Sequence, residues 1–355
     1  MYNLKLTDFL KQAGDWFLHS GIQEPSGGVA RYYRAESASN LPVSNEITGY
    51  FASALVELHR RTGDGEYLDA AMRAASFLVR EAWDKPSSTF PFEPGSNLAY
   101  FFDTGIIVRG LVAVWRVTAE PELLACARDA ALSLAFDFLG EGAFHPVISL
   151  PDKQPLPYER RWSRSPGCFQ LKSALAWREI GDAQAERMFE AMLDYALTNH
   201  HTFLELENEG DRLMDRLHAE CYFLEGLLFA MNREDVREAL MAGIARTAAL
   251  LKEISEQFER SDVYAQLLRV RLIVHHAGAV ALDENSAAEE AARLATFQET
   301  ESSDPRLRGG FWFGLKSRAI MPFSNPVSTA FGMQALALWH DHRAGRWNFE
   351  LCRLI

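Results

Sequence analysis

Cysteine is scarce in this chain: four in 355 residues, Cys126, Cys168, Cys221 and Cys352, all widely separated. Without a CxxC pair, a zinc ribbon or a dithiol redox motif is excluded. Scattered thiols of this kind read as reduced side chains of a cytoplasmic protein. Long apolar runs are missing too; no stretch approaches 18 uninterrupted apolar residues, so no membrane span is expected. The opening "MYNLKLTDFLKQAGDWF" lacks a basic start, an apolar block and a small-residue cleavage site, and is not read as a signal peptide. Basic tracts are absent, and the net charge of -12 argues against a nucleic-acid partner. The chain has no Walker sequence, dinucleotide fingerprint, GxSxG elbow, HExxH, acidic calcium loop or Asp-rich run. ATP, nicotinamide, acyl-serine and isoprenoid-cyclase chemistry are therefore set aside, and no cofactor is expected.

What is present is an ordinary globular balance, 48% hydrophobic and 24% charged, in a chain long enough to bury a sizeable core. It is also internally repetitive. The stretch "ITGYFASALVELHRRTGDGEYLDAAMRAASFLVREA" (47–82) aligns without a gap on "DTGIIVRGLVAVWRVTAEPELLACARDAALSLAFDF" (103–138), at an offset of 56. Thr48-Gly49 falls on Thr104-Gly105, Leu55 on Leu111, Thr62 on Thr118 and Ala75 on Ala131. In each copy apolar residues recur at i, i+3, i+4 and i+7, break at a tight turn, and resume. Each unit is thus a helical hairpin.

Weaker copies follow in "GCFQLKSALAWREIGDAQAERMFEAMLDYAL", "LHAECYFLEGLLFAMNREDVREALMAGIARTAALL" and "DVYAQLLRVRLIVHHAGAVALDENSAAEEAARLATF". A last helix (326–342) has no following partner, and a first (near residues 4–18) has no preceding one. Pairing them closes an all-α ring of six helical hairpins, about twelve helices in inner and outer rings, as one domain over residues 1–355. "FHPVISL" (144–150) is the only plausible strand. Turns within hairpins are short; connections between them are long, near 19–44, 83–101, 139–165, 199–213 and 300–325, with a shorter one near 256–261. Long loops therefore gather on one face, and loops of this length are usually functional. The helix after each long loop is the more apolar and suits the inner ring.

This pattern, carried by "EITGYF…RTGDGEYLDAA", "FFDTGIIVRGL", "HAECYFLEGLL", "DVYAQLLRVRL" and "RGGFWFG…PFSNPVSTAFGMQALAL", resembles the six-hairpin glycosidase-like (α/α)6 toroid superfamily over nearly the full length. It looks closest to bacterial toroid proteins of polysaccharide metabolism. More distantly it is similar to unsaturated glucuronyl hydrolases and sugar 2-epimerases. The resemblance implies a saccharide substrate and a carbohydrate-active enzyme. It supplies neither the histidine arrangement of sugar 2-epimerases nor a complete hydrolase acid pair. Glycoside hydrolysis is the leading expectation, on a saccharide that contains uronate in one version. Epimerisation or uronate lysis is the alternative, and a non-catalytic glycan- or protein-binding ring is the alternative of another class.

In such a ring the first turns of the inner helices surround a funnel. The candidates there are Asn45 and Glu46, Asp103 and Thr104, His218 and Glu220, Asp262 and Tyr264, and Asn325 and Ser328. Arg109, Glu225, Gln266 and Arg269 are expected just inside. Asp103 has two readings: an N-cap whose charge complements the macrodipole, or a carboxyl facing the funnel. Its neighbours Phe101 and Phe102 would raise its proton affinity, as a general acid needs. Glu46 falls on Phe102 in the 56-residue register, one position from Asp103, so the two form a candidate acid/base pair. His218 is the third catalytic candidate.

For substrate binding, "YERRWSRSPG" (158–167) surrounds Trp162 with Arg160, Arg161 and Arg164. Guanidinium forks match carboxylates, and the indole offers a stacking face. Arg161 and Trp162 are the choices here, with Arg109, Gln266, Arg308, Trp312 and Asn325 elsewhere. The segment 307–331 adds Phe311, Phe313 and Phe323 as an aromatic wall. His200-His201 and His275-His276 are adjacent pairs; neighbours on a helix point apart, so neither pair makes a metal site alone, and none is expected.

Overall fold

A computed structural model describes residues 6–181, 183–205 and 210–355. Twelve α-helices run through the described residues. Those that follow long connections are α2 (Asn45–Thr62), α4 (Phe101–Thr118), α6 (Gln170–Ile180), α8 (Gly210–Leu227), α10 (Ser261–His276) and α12 (Pro326–Arg343). Each packs on its neighbours in that order, and α12 packs back on α2, which closes the inner ring. The outer ring is α1 (Leu6–His19), α3 (Gly65–Phe77), α5 (Pro121–Phe136), α7 (Ala183–Asn199), α9 (Glu234–Ile254) and α11 (Glu284–Ala295). Helix α1 packs on α12 and supplies the sixth pair. Residues 4 and 5 of the expected first helix lie outside the described residues. Among the described residues no helix is long and apolar enough to cross a membrane, and all four cysteines are free.

The offset of 56 is a structural register. Helices α2 and α4 begin at 45 and 101 and end at 62 and 118; α3 and α5 begin at 65 and 121. Both turns hold the residue after the inner helix in the left-handed region, Gly63 at φ 77° and Ala119 at φ 58°. The repeated Thr-Gly pair sets the spacing of the inner ring. A Cβ on Gly49 would lie 3.0 Å from Ile107 Cα of α4, and one on Gly105 would lie 2.5 Å from Ser173 Cβ of α6. Glycine lets successive inner helices meet backbone to backbone.

Strand is more frequent than the sequence suggested. The expected one is found at Val147–Ser149, paired antiparallel with Leu98–Tyr100. Two further small sheets join Tyr33–Arg34 to Ser39–Asn40 and Phe323–Ser324, and Phe258–Arg260 to Gly314–Lys316 and Ala319–Ile320. These strands are two or three residues long, too short for period-2 patterning to register. All of them lie in the connections between hairpins, the strand Phe258–Arg260 in the shorter one, so those segments pair with one another into a collar around one end of the ring.

The other end is filled by the last residues of the chain. Leu354 and Ile355 are buried. Lys172 Nζ donates to the Ile355 carbonyl at 2.8 Å, and Gln334 Oε1 accepts from the Ile355 amide at 3.2 Å. Lys172 and Arg269 both pair with Glu225, and all three are fully buried. Arg353 and Arg61 share Glu57 nearby, at 2.9 and 2.6 Å.

Candidate active site

Within the collar a cavity of about 800 Å³ opens at the first turns of the inner helices. Its wall includes Glu46, Asp103, Arg161, Trp162, His218 and Asn325 of the sequence candidates. Asn325 also caps α12, its Oδ1 accepting from the Val327 amide at 2.7 Å and the Ser328 amide at 3.2 Å.

Asp103 is not the cap of α4; that position is Tyr100, and Asp103 is the third helical residue. It is buried, and its Oδ2 has no hydrogen-bond partner. Burial raises its proton affinity well above the carboxylate range, and the nearby charge of Glu46 raises it further. Arg31 and a backbone hydrogen bond oppose this without cancelling it. Glu46, in the first turn of α2, is pushed by burial from its ordinary 4.5 to about 7, again against Arg31. The two carboxyls thus lie close enough for the charge of one to act on the other, and each binds its proton more tightly than a free carboxyl.

His218 lies about two turns inside α8 rather than at its start, because α8 begins at Gly210. Its Nδ1 is 2.8 Å from Gln266 Oε1 and 3.6 Å from Asp262 Oδ2. Burial and Arg260 lower its pKa to about 4, against the pull of Asp262, so the ring is neutral at pH 7. Arg260 clasps Asp262 with two bonds, Nε at 3.0 Å and Nη2 at 2.6 Å, and reaches Asp215 at 2.7 Å. That clasp holds Asp262 ionised: its pKa is lowered although burial alone would raise it. Trp162 stands with its ring edge-on to Phe169 at 4.9 Å between centroids, and to Phe102 and His218 at 6.5 Å. The indole is therefore fixed rather than swinging in a loop.

Four substrate-binding candidates are placed elsewhere. Arg109 lies nearly two turns deeper in α4, where Nε binds Glu179 at 2.7 Å and Nη2 donates to the Leu354 carbonyl at 2.6 Å. Its guanidinium belongs to the far end of the ring. Gln266 is fully buried behind His218 and meets the cavity only through that ring. Arg308 is exposed on a turn outside the cavity wall. Trp312 is tied to Glu299 Oε2 at 3.3 Å, and Phe311 is buried in the core; Phe313 and Phe323 form the aromatic wall instead. Of the other inner-helix candidates, Glu220 turns outward to Arg246, and Glu225 and Arg269 join the buried group at the far end.

The wall also holds residues that sequence reasoning missed: Arg31, Tyr100, Asp215, Tyr222 and Arg260. Arg260 stands two residues before Asp262 in "FERSDVY", a spacing that offers a two-pronged clasp at a helix start, and this signal was readable. Arg31 lies in the first connection with no local signal; the sheet that joins this connection to Phe323–Ser324 brings it in. Six arginines line the cavity, Arg31, Arg160, Arg161, Arg212, Arg216 and Arg260, against four carboxyls. In a chain of net charge -12 this is a local reversal of sign.

Compared with known proteins, the chain matches no family model and has no detectable sequence relative among curated proteins. Solved structures do match. A sugar epimerase from a ruminal bacterium superposes with a TM-score of 0.70 at 11% identity, over 94% of this chain and 97% of that one. Cellobiose 2-epimerase from Spirochaeta thermophila gives 0.69 at 14%, over 94% and 96%. A GH76 α-mannanase from Bacteroides thetaiotaomicron gives 0.62 at 13%, over 96% and 98%. The fold is that of the (α/α)6 toroids.

Proposed function

We propose that this protein is a carbohydrate-active enzyme that hydrolyses a glycosidic bond in a carboxylate-bearing saccharide, with Asp103 and Glu46 as its acid/base pair. The observation that carries the reading is the pair itself: two enclosed carboxyls of raised proton affinity in an arginine-lined cavity. Hydrolysis needs one carboxyl that keeps its proton and one that gives it up. Asp103 has the stronger hold and donates to the leaving glycosidic oxygen. Glu46, near 7, is half ionised at neutral pH and takes the proton of the attacking water, or attacks directly. Arg161 with its neighbours offers guanidinium forks to a substrate carboxylate, and Trp162 offers the fixed apolar face a sugar ring stacks on. The similar solved structures, named for sugar epimerisation and mannan hydrolysis, support a saccharide as the substrate class.

A second reading, epimerisation or lysis, draws on His218. With Nδ1 donating to Gln266 Oε1, the basic lone pair of the neutral ring is on Nε2, where a base that removes a carbon-bound proton needs it. Incubation of the protein in D2O with a panel of neutral and uronate-containing oligosaccharides separates the readings by NMR. Hydrolysis yields a new reducing end with no deuterium on carbon. Epimerisation leaves deuterium on carbon in the recovered sugar, and lysis yields an unsaturated product. Binding without turnover of any saccharide would overturn the enzymatic reading.

A further inference from the structure

At the rim opposite the cavity, the last turns of α10 and α12 bring three imidazoles together. His275 and His276 end α10, and His342 lies in the last turn of α12. One ring nitrogen from each lies within 4.8 Å of the others. The ring centroids are 5.1, 5.2 and 5.7 Å apart, so the adjacent histidines converge instead of splaying. The sequence expectation of no metal rested on His275-His276 as an isolated pair; the neighbouring inner helix supplies the third ring.

Each ring is oriented by a hydrogen bond, and two of them by stacking on an indole as well. His276 Nε2 stands 3.0 Å from His342 Nδ1, so two ring nitrogens already share one proton. His342 Nε2 lies 2.9 Å from Glu284 Oε1; a carboxylate there accepts a hydrogen bond from Nε2–H and so keeps the Nδ1 lone pair facing the cluster. His276 is stacked on Trp347 at 3.9 Å and 7° between planes, and His342 lies against Trp339 at 5.5 Å and 27°. The Leu282 amide meets His275 Nδ1 at 3.3 Å, the longest hydrogen bond of the group. Metal loading would displace the proton shared by His276 and His342.

We infer that His275, His276 and His342 form a transition-metal site, suited to Zn²⁺, with Glu284 orienting His342 and water as the fourth ligand. Three neutral nitrogens and no carboxylate oxygen in the inner set favour zinc, copper or nickel over magnesium or calcium. Tetrahedral zinc at about 2.0–2.1 Å from each nitrogen needs those nitrogens about 3.3 Å apart. The 3.0 Å pair is already near that spacing, and side-chain rotation covers the rest. The ion would tie α10 to α12 and, through the Trp347 stack, to the C-terminal segment.

Titration of tag-free protein with ZnCl2 by calorimetry tests the site, with CoCl2 as a spectroscopic probe. One equivalent should bind with micromolar or tighter affinity and raise Tm by a few degrees at saturation. Cobalt should show the intense visible bands of a tetrahedral nitrogen site. His276→Ala and His342→Ala should abolish binding, and Glu284→Gln should weaken it about 10–100-fold. Absence of saturable binding by wild type would overturn the site, as would full binding by His342→Ala. The wild-type cobalt spectrum decides the matter even where a variant folds poorly: octahedral, weakly absorbing cobalt counts against it.

Discussion

At the base of the ring Glu225 lies between Lys172 and Arg269, and all three side chains are fully buried. At the mouth Asp103 is nearly as buried, yet its Oδ2 has no hydrogen-bond partner. The two carboxyls respond in opposite directions. Glu225 is held below the ordinary carboxylate range by its two cations, although burial pushes it up. Asp103 is driven above that range by burial and by Glu46. Both sit on inner helices of one ring, so fold alone does not account for the difference. The charges of the base pair with each other and with the C-terminal segment; at the mouth Arg31 offsets the carboxyl pair only in part. Ion pairing of the first kind leaves no group free for a ligand, and perturbation of the second kind is the feature on which the proposed acid/base role rests.

The sharpest way to break this comparison is to neutralise one carboxyl at each end. Asp103→Asn should lower kcat about 10²–10⁴-fold, the usual worth of a positioned general acid. Its Tm should hold or rise, since the substitution removes an unpaired buried acid. Glu225→Ala should do the reverse. It strands Lys172 and Arg269 without a counter-charge and should cost about 3–5 kcal/mol, read from urea or thermal unfolding. The activity of the fraction still folded should stay within a few-fold of wild type. A large stability loss from Asp103→Asn with activity intact would assign the mouth carboxyl to structure.

The same contrast gives a pH dependence of defined sign. The Glu46 carboxyl rises from its ordinary 4.5 to about 7 on folding. Between those values the folded chain holds a proton that the unfolded chain releases. Its contribution to stability is therefore complete below pH 4.5 and is lost as pH rises through 7. Asp103 adds a contribution of the same sign. Glu46 is partly open to the cavity, which trims the effect to roughly 1–3 kcal/mol. Wild-type Tm should fall from pH 5 to pH 8, and Glu46→Gln should flatten that slope. Glu46 acts in its ionised form in the proposed reaction, so kcat should fall as pH drops below 7, and loss of that limb in Glu46→Gln would tie the same group to turnover.

How far the sequence reveals these features follows from their physical range. The hairpins are legible because helix period and turn chemistry are local, and because the 56-residue offset repeats helix starts, helix ends and the Thr-Gly contact together. Glu46 and Asp103 are legible because a helix after a long connection must begin at the collar. Arg109 shows where such reasoning stops. Seven residues separate it from Phe102, nearly two turns, and that distance carries its guanidinium from the mouth towards Glu179 and Leu354. Rise along the helix predicts the depth, but the partner is a residue 245 positions away, and no local pattern encodes it. Arg31 and the pairing of collar strands are lost for the same reason. His342 is a third case, since the two adjacent histidines of α10 acquire their meaning only from the neighbouring helix.

The smallest expected effect concerns Arg161, and it separates two uses of the same group. Arginines of the base are committed: Arg109 to Glu179, Arg269 to Glu225, Arg353 to Glu57. Arg161 is exposed on the collar wall, beside the fixed indole of Trp162, where a ligand carboxylate has access to it. Hydrogen bonds to a charged partner are worth about 1.5–3 kcal/mol, and solvent at the mouth keeps this one near the lower bound. Arg161→Ala should therefore raise KM about tenfold on a uronate-containing saccharide, with kcat nearly unchanged. On the neutral analogue the same substitution should leave both constants alone, and the difference should shrink as salt is added. Equal losses on both substrates would mean that Arg161 shapes the collar; a loss confined to the acidic substrate makes it the group that reads the carboxylate.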